Sequence, residues 1–159
     1  MATSPRAARF RFLYRESEGT VGAREWTRAS VAPVGIALVL TLAAVAVAPN
    51  APRDLAHEAF IDPLVVARHA YLIAYAFALI LCAVAEYFVS AKRFADRGKP
   101  PALAGLAPLS LLVAGAAHWC QPRLEGTMPE GLVTLFDAIA VVILAWNAIE
   151  LGFGASRRR

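Results

Sequence analysis

Glu86-Tyr87-Phe88-Val89-Ser90-Ala91-Lys92-Arg93-Phe94-Ala95-Asp96-Arg97-Gly98-Lys99-Pro100-Pro101 separates two long apolar runs and gathers Lys92, Arg93, Asp96, Arg97 and Lys99 within eight residues. Basic residues beside membrane-length segments resist translocation, so this stretch is expected as a loop on the cytoplasmic face. That placement orients the rest of the chain.

On its N-terminal side the apolar run predicts a helix over 64–91, opened by Asp62-Pro63: an acceptor at the N-cap and a proline at the first helical position. Helical spacing puts Tyr71, Tyr75, Cys82, Glu86 and Arg93 on one stripe, which is expected to face other helices while the aliphatic side faces lipid. On its C-terminal side a helix is predicted over 101–119. Pro108 is expected to kink it, and Gly105 with Ala114, Gly115, Ala116 and Ala117 permits close approach of a neighbour.

Farther out, 31–48 is a run of eighteen uncharged residues after Ser30, a natural N-cap, and 130–152 carries Ala138, Ala145 and Gly152 as an expected packing seam. The fold class expected is therefore all-α, an integral membrane four-helix bundle spanning 30–154. Residues 155–159 form a basic tail. Residues 1–29 hold six arginines interleaved with Phe10, Phe12, Leu13 and Tyr14. They fit an interfacial helix over about 5–15 and equally a disordered basic tail.

Composition agrees. Of 159 residues 58% are hydrophobic, against roughly 45–50% in an ordinary soluble domain, and the mean hydropathy is +0.54. The net charge of +4 lies at segment ends rather than along one face, so nucleic acid is not an expected partner. Six basic residues in the leader, four in the central stretch and three at 157–159 stand against Arg53, Arg68 and Arg123 on the other side, which places both ends in the cytoplasm. Ala44-Val45-Ala46 resembles a signal-peptide cleavage site, but the long leader with Glu16, Glu18 and Glu25 argues against one.

Glu86, Asp137 and Glu150 are the ionisable residues in or near the spans, the positions where proton and ion pathways are sought. Asp137 is expected to pair with Arg68 or to sit at the outer interface. With only Asn147 and the tyrosine stripe between it and the inner carboxylates, no continuous relay is visible. His57, His69, His118 and Cys120, with Asp54 and Glu58, map to the outer side and are metal-ligand types, but they lack a dense motif, so no metal is expected. Cys82 and Cys120 differ in depth by about half a bilayer, too far for a disulfide. Ser90, Ser110 and Cys82 lack a base at helical spacing, and no glycine-rich phosphate loop is present, so neither catalysis nor a cofactor is expected.

Lys92-Arg93-Phe94-Ala95-Asp96-Arg97-Gly98-Lys99-Pro100 resembles the signature that precedes a membrane helix in domain-of-unknown-function family 805, the YhaH-like inner-membrane proteins. Gly19-Thr20-Val21-Gly22-Ala23-Arg24-Glu25-Trp26 resembles the same family's opening motif. Ala95 stands where that family usually has histidine, Thr20 and Ala23 where it has arginines, and Thr27 where it has tryptophan. The resemblance implies a bacterial inner-membrane protein in which Arg24, Arg93 and Asp96 meet on the cytoplasmic side.

A physical reason supports such a meeting: an Arg–carboxylate contact would fix the helix ends in register. Glu86 is expected to accept from Arg24 or Arg93, with Arg97 and Glu150 joining. The cluster reads first as structural and second as a site for anionic lipid headgroups. The function expected is non-enzymatic, a small component contacting membrane lipids, a larger membrane complex or another copy of itself. The alternatives are a transporter or channel subunit using Glu86 and Asp137, and then an intramembrane enzyme.

Overall fold

A computed structural model of the chain describes residues 4–47, 62–121 and 129–156. Among these residues the secondary structure is wholly helical. It comprises α1 (Pro5–Tyr14), α2 (Ala23–Val47), α3 (Pro63–Asp96), a 3-10 turn (Pro101–Gly105), α4 (Leu106–Cys120) and α5 (Glu130–Phe153). Four helical stretches, Ala23–Val47, Pro63–Asp96, Pro101–Cys120 and Glu130–Phe153, are long and apolar enough to cross a membrane. The protein is an all-α, multi-pass membrane protein.

The spans alternate in direction, so α1, the α3–α4 connection and the residues after α5 share one end, here the basic end. Helix α2 packs chiefly on α3, and α4 chiefly on α5. The α4–α5 seam uses small or short residues, Ser110, Ala114 and Ala117 against Val133, Ala140 and Asn147. That choice suits lipid, where dispersion contacts and close backbone approach replace the hydrophobic effect as the driving force. The opposite faces stay bare: Leu81 of α3 is 71% exposed and Phe77 66%.

Several boundaries differ from expectation for identifiable reasons. Helix α2 begins at Ala23, well before Ser30, because nothing between Ala23 and Ser30 breaks a helix; Ser30 is an interior, buried residue rather than an N-cap. The expected cytoplasmic loop is largely helix. Residues 91–96 contain no breaker, so α3 continues through Lys92, Arg93 and Asp96.

It stops at Gly98, whose φ of 70° belongs to the left-handed region that glycine enters freely. Gly98 N–H then donates to Ala95 O, and Lys99 N–H to Phe94 O, both at 2.9 Å, which satisfies two terminal carbonyls at once. At its other end α3 opens with Asp62 accepting from Leu64 N–H at 2.8 Å, followed by Pro63. Pro108 falls in the first turn of α4, directly after the 3-10 turn Pro101–Gly105 gives way to α-helix. On α5, Ala138 and Ala145 are exposed, and the seam runs instead through Val133, Ala140 and Asn147.

The N-terminal segment folds onto the bundle. Ser4 caps α1 by accepting from Ala7 N–H, and Leu13 packs with Val21, Ala29 and Val89 in a small core at the basic end. The turn between α1 and α2 uses Gly19 at φ 106°, with the Phe12 ring lying over the space a side chain would fill.

Candidate functional site

Lys92 and Arg93 are adjacent, and both are fully buried. Successive helical residues point about 100° apart, so the two cations reach different neighbours. Lys92 Nζ donates to Leu13 O at 3.2 Å, to Glu16 O, and to Phe88 O at 3.3 Å, while lying 5.1 Å from the Phe12 ring centre. Arg93 turns the other way. Its Nε donates to Leu151 O at 2.9 Å, its Nη2 to Gly154 O, and its Nη1 to Asp96 and to Ser156 Oγ at 2.9 Å.

Leu13 and Leu151 lie in the last turns of α1 and α5, where carbonyls lack intrahelical partners and the helix dipole is negative. Two neighbouring cations on α3 thus cap the C-terminal ends of two other helices. A charge-assisted bond to a buried carbonyl is stronger than a neutral one, and its loss strands both partners.

A second layer adds Glu150. Its carboxylate accepts from Arg97 Nη1 at 2.6 Å and from Lys99 Nζ, and Arg97 also donates to the Glu150 carbonyl. Gly154 is fixed by this layer, since a Cβ there would overlap the Arg97 guanidinium and the Glu150 carbonyl.

Glu86 sits one layer deeper. Contrary to expectation it accepts from neither Arg24 nor Arg93. Ser30 Oγ donates to its Oε1 at 3.0 Å and Ser90 Oγ at 2.9 Å, and Trp26 Nε1 in turn donates to Ser90 Oγ at 3.0 Å. Oε2 of Glu86 is buried without a hydrogen-bond partner among the described residues, as are Arg97 Nε and Asn147 Nδ2.

Arg24 does not join Arg93 and Asp96. Because α2 starts at Ala23, Arg24 occupies its first turn on the exposed side, and Trp26 turns inward against Gly152 instead. Among the described residues neither Arg24 nor Arg28 forms an ion pair.

One contact joins sequence to packing with particular economy. Pro33, inside α2, has no N–H to give to Ala29 O four residues earlier. Tyr14 Oη supplies the missing donor at 2.8 Å. Burial first, and the negative charge of Glu86 second, hold the Tyr14 phenol above the ordinary tyrosine range.

The far end carries a different pair. Asp137 Oδ2 lies 2.9 Å from His118 Nε2, both side chains being about half exposed. Of the two expectations for Asp137, pairing with Arg68 or a place at the outer interface, the structure puts it half exposed at the far end, against His118 across the α4–α5 seam. His69 Nδ1 approaches Val65 O at 2.9 Å on its own helix. Among the described residues no three histidine, cysteine or carboxylate side chains gather at one point; His57, Asp54 and Glu58 lie outside those residues. Cys82 and Cys120 are free thiols.

Lys92, Trp26, Ser30 and the Tyr14–Pro33 pair were not singled out as site residues from the sequence. Signals existed for two of them: a Lys-Arg dipeptide with no helix breaker around it, and a proline placed four residues after a carbonyl that must then find another donor. The Trp26–Ser90–Glu86–Ser30 chain joins residues more than fifty positions apart and has no local signature. Comparison of the chain with protein-family models, with curated proteins and with solved structures finds no match.

Proposed function

We propose that this is a non-enzymatic structural or accessory protein of the bacterial inner membrane, with its basic end in the cytoplasm. The observation that carries the reading is the use made of Lys92 and Arg93, whose donors are given to helix-terminal carbonyls rather than held open toward a ligand. The charge asymmetry supports the orientation, since ten of the described basic residues lie at or near the basic end against Arg68 beyond it. The motifs at Gly19–Trp26 and Lys92–Pro100 are the ground for reading the chain as a divergent relative of domain-of-unknown-function family 805.

The test is purification of the tagged protein from its own membranes in a mild detergent, followed by mass spectrometry of co-purifying proteins and lipids. A stoichiometric protein partner is expected. A protein recovered alone would remove the accessory-subunit reading.

One observation favours transport instead: the buried, unpartnered Oε2 of Glu86. Proton or cation flux in proteoliposomes that vanishes in Glu86→Gln, with thermal stability kept, would replace the structural reading.

A further inference from the structure

We propose that the groove between α1 and the first turns of α2 binds the phosphate of an anionic phospholipid, with an acyl chain running down α2. The groove measures about 570 Å3 and is lined by Leu13, Tyr14 and Ala29 at its apolar floor, with Arg9, Arg24 and Arg28 around it. Its walls are fixed by contacts already described: the Leu13–Val21–Ala29–Val89 core, the Tyr14 bond to Ala29 O, and Lys92 on the end of α1. The carboxylate in the lining, Glu25, is occupied by Arg9 at 2.7 Å. Arg24 and Arg28 are exposed, one turn apart on the same face, and have no carboxylate partner among the described residues. Two guanidiniums so placed match a phosphate, which accepts from planar forks.

Position along the helix selects a lipid over a soluble phosphate. Arg28 is the last charge of α2 before its apolar run, so the groove lies at headgroup height when the run is in hydrocarbon. Steps of three, four and seven residues carry the Arg24–Arg28 face directly onto Val31, Leu38 and Leu42, which are 67%, 59% and 62% exposed. A charged headgroup site thus continues into a bare aliphatic stripe, the shape of one glycerophospholipid. The inference rests on the membrane placement of the fold and not on the accessory role, so the absence of a protein partner would leave it standing.

The measurement is native mass spectrometry of the full chain released from nanodiscs containing phosphatidylglycerol, phosphatidylcholine or both. The wild type is expected to retain phosphatidylglycerol preferentially. Arg24→Gln with Arg28→Gln should weaken retention about a hundred-fold, the loss of two charge-assisted bonds to the phosphate. Arg6→Gln with Arg15→Gln removes the same charge from exposed positions outside the groove and should leave retention nearly unchanged. Equal losses in the two doubles would mean diffuse surface electrostatics and overturn the site. Loss of the lipid preference together with saturable displacement by inorganic phosphate would assign the groove to a soluble anion and overturn the lipid. Circular dichroism melting is expected to be the same for all three proteins, since none of these four side chains is buried.

Discussion

The basic end and the membrane interior are held by opposite means. At the basic end two buried cations, three carboxylates and several main-chain carbonyls interlock over short directional contacts. In the interior the helices meet through alanines and a few hydroxyls, such as Tyr75 Oη with Thr41 Oγ1 at 3.0 Å and Tyr71 Oη with Leu40 O at 2.9 Å. The difference follows from solvent. In lipid, aliphatic side chains gain little by leaving the acyl chains for a neighbour, so the interior packs closely but weakly. At the boundary, desolvated charges are costly unless paired, and once paired they impose one geometry. Register is therefore set at one end and carried along the helices.

The sharpest way to break this contrast is Arg93→Met, which strands Asp96 and the carbonyls of Leu151 and Gly154. A loss of about 3–5 kcal/mol is expected, read as a lower Tm in detergent. Arg24→Gln removes the same charge from the surface and should move stability by less than about 0.5 kcal/mol. Comparable losses in the two variants would erase the distinction between the regions.

Within the interior, Ala114→Leu should overpack the α4–α5 seam at a cost of about 1–3 kcal/mol, whereas Leu81→Ala on the bare face of α3 should scarcely register. Denaturation of the pair in mixed micelles would show it.

Tyr14→Phe is expected to cost about 1 kcal/mol through the lost bond to Ala29 O. Pro33→Ala in the same protein should recover part of that, because the restored N–H of residue 33 takes up the carbonyl; strict additivity of the two changes would refute the pairing. The pH dependence has a definite sign. Since the folded phenol ionises above the ordinary range, its contribution is complete below about pH 10 and is lost as pH rises through the folded value. A melting series in alkali should fall more steeply for the wild type than for Tyr14→Phe. The smallest effect belongs to the interior: Tyr75→Phe should cost about 0.6 kcal/mol, the usual worth of an interhelical hydrogen bond in a membrane protein.

The four spans and their alternation were legible in the sequence because long uncharged runs and terminal basic residues are strong, local signals. Asp62-Pro63 gave the start of α3 for the same reason. The interior seams were not legible on α5, where Ala138 and Val133 read alike until a partner helix is in place. Nor was the partner choice of the charges. Moving the start of α2 from Val31 to Ala23 turns Arg24 outward and brings Trp26 and Ser30 to Ser90 and Glu86, a change that no spacing rule in 19–30 announces. Arg93, Arg97 and Glu150 were recognisable as a group, while the main-chain carbonyls they bind depend on where α5 ends.

The bond from Arg93 to Leu151 and Gly154 also orders events in time. A ribosome delivers Arg93 about sixty residues before its acceptors, so the guanidinium must wait, hydrated, while α4 and α5 are made and inserted. Any chain interrupted before Leu151 leaves the Arg93 guanidinium without these two carbonyls. Closure of that contact thus reports that the end of α5 has reached α3.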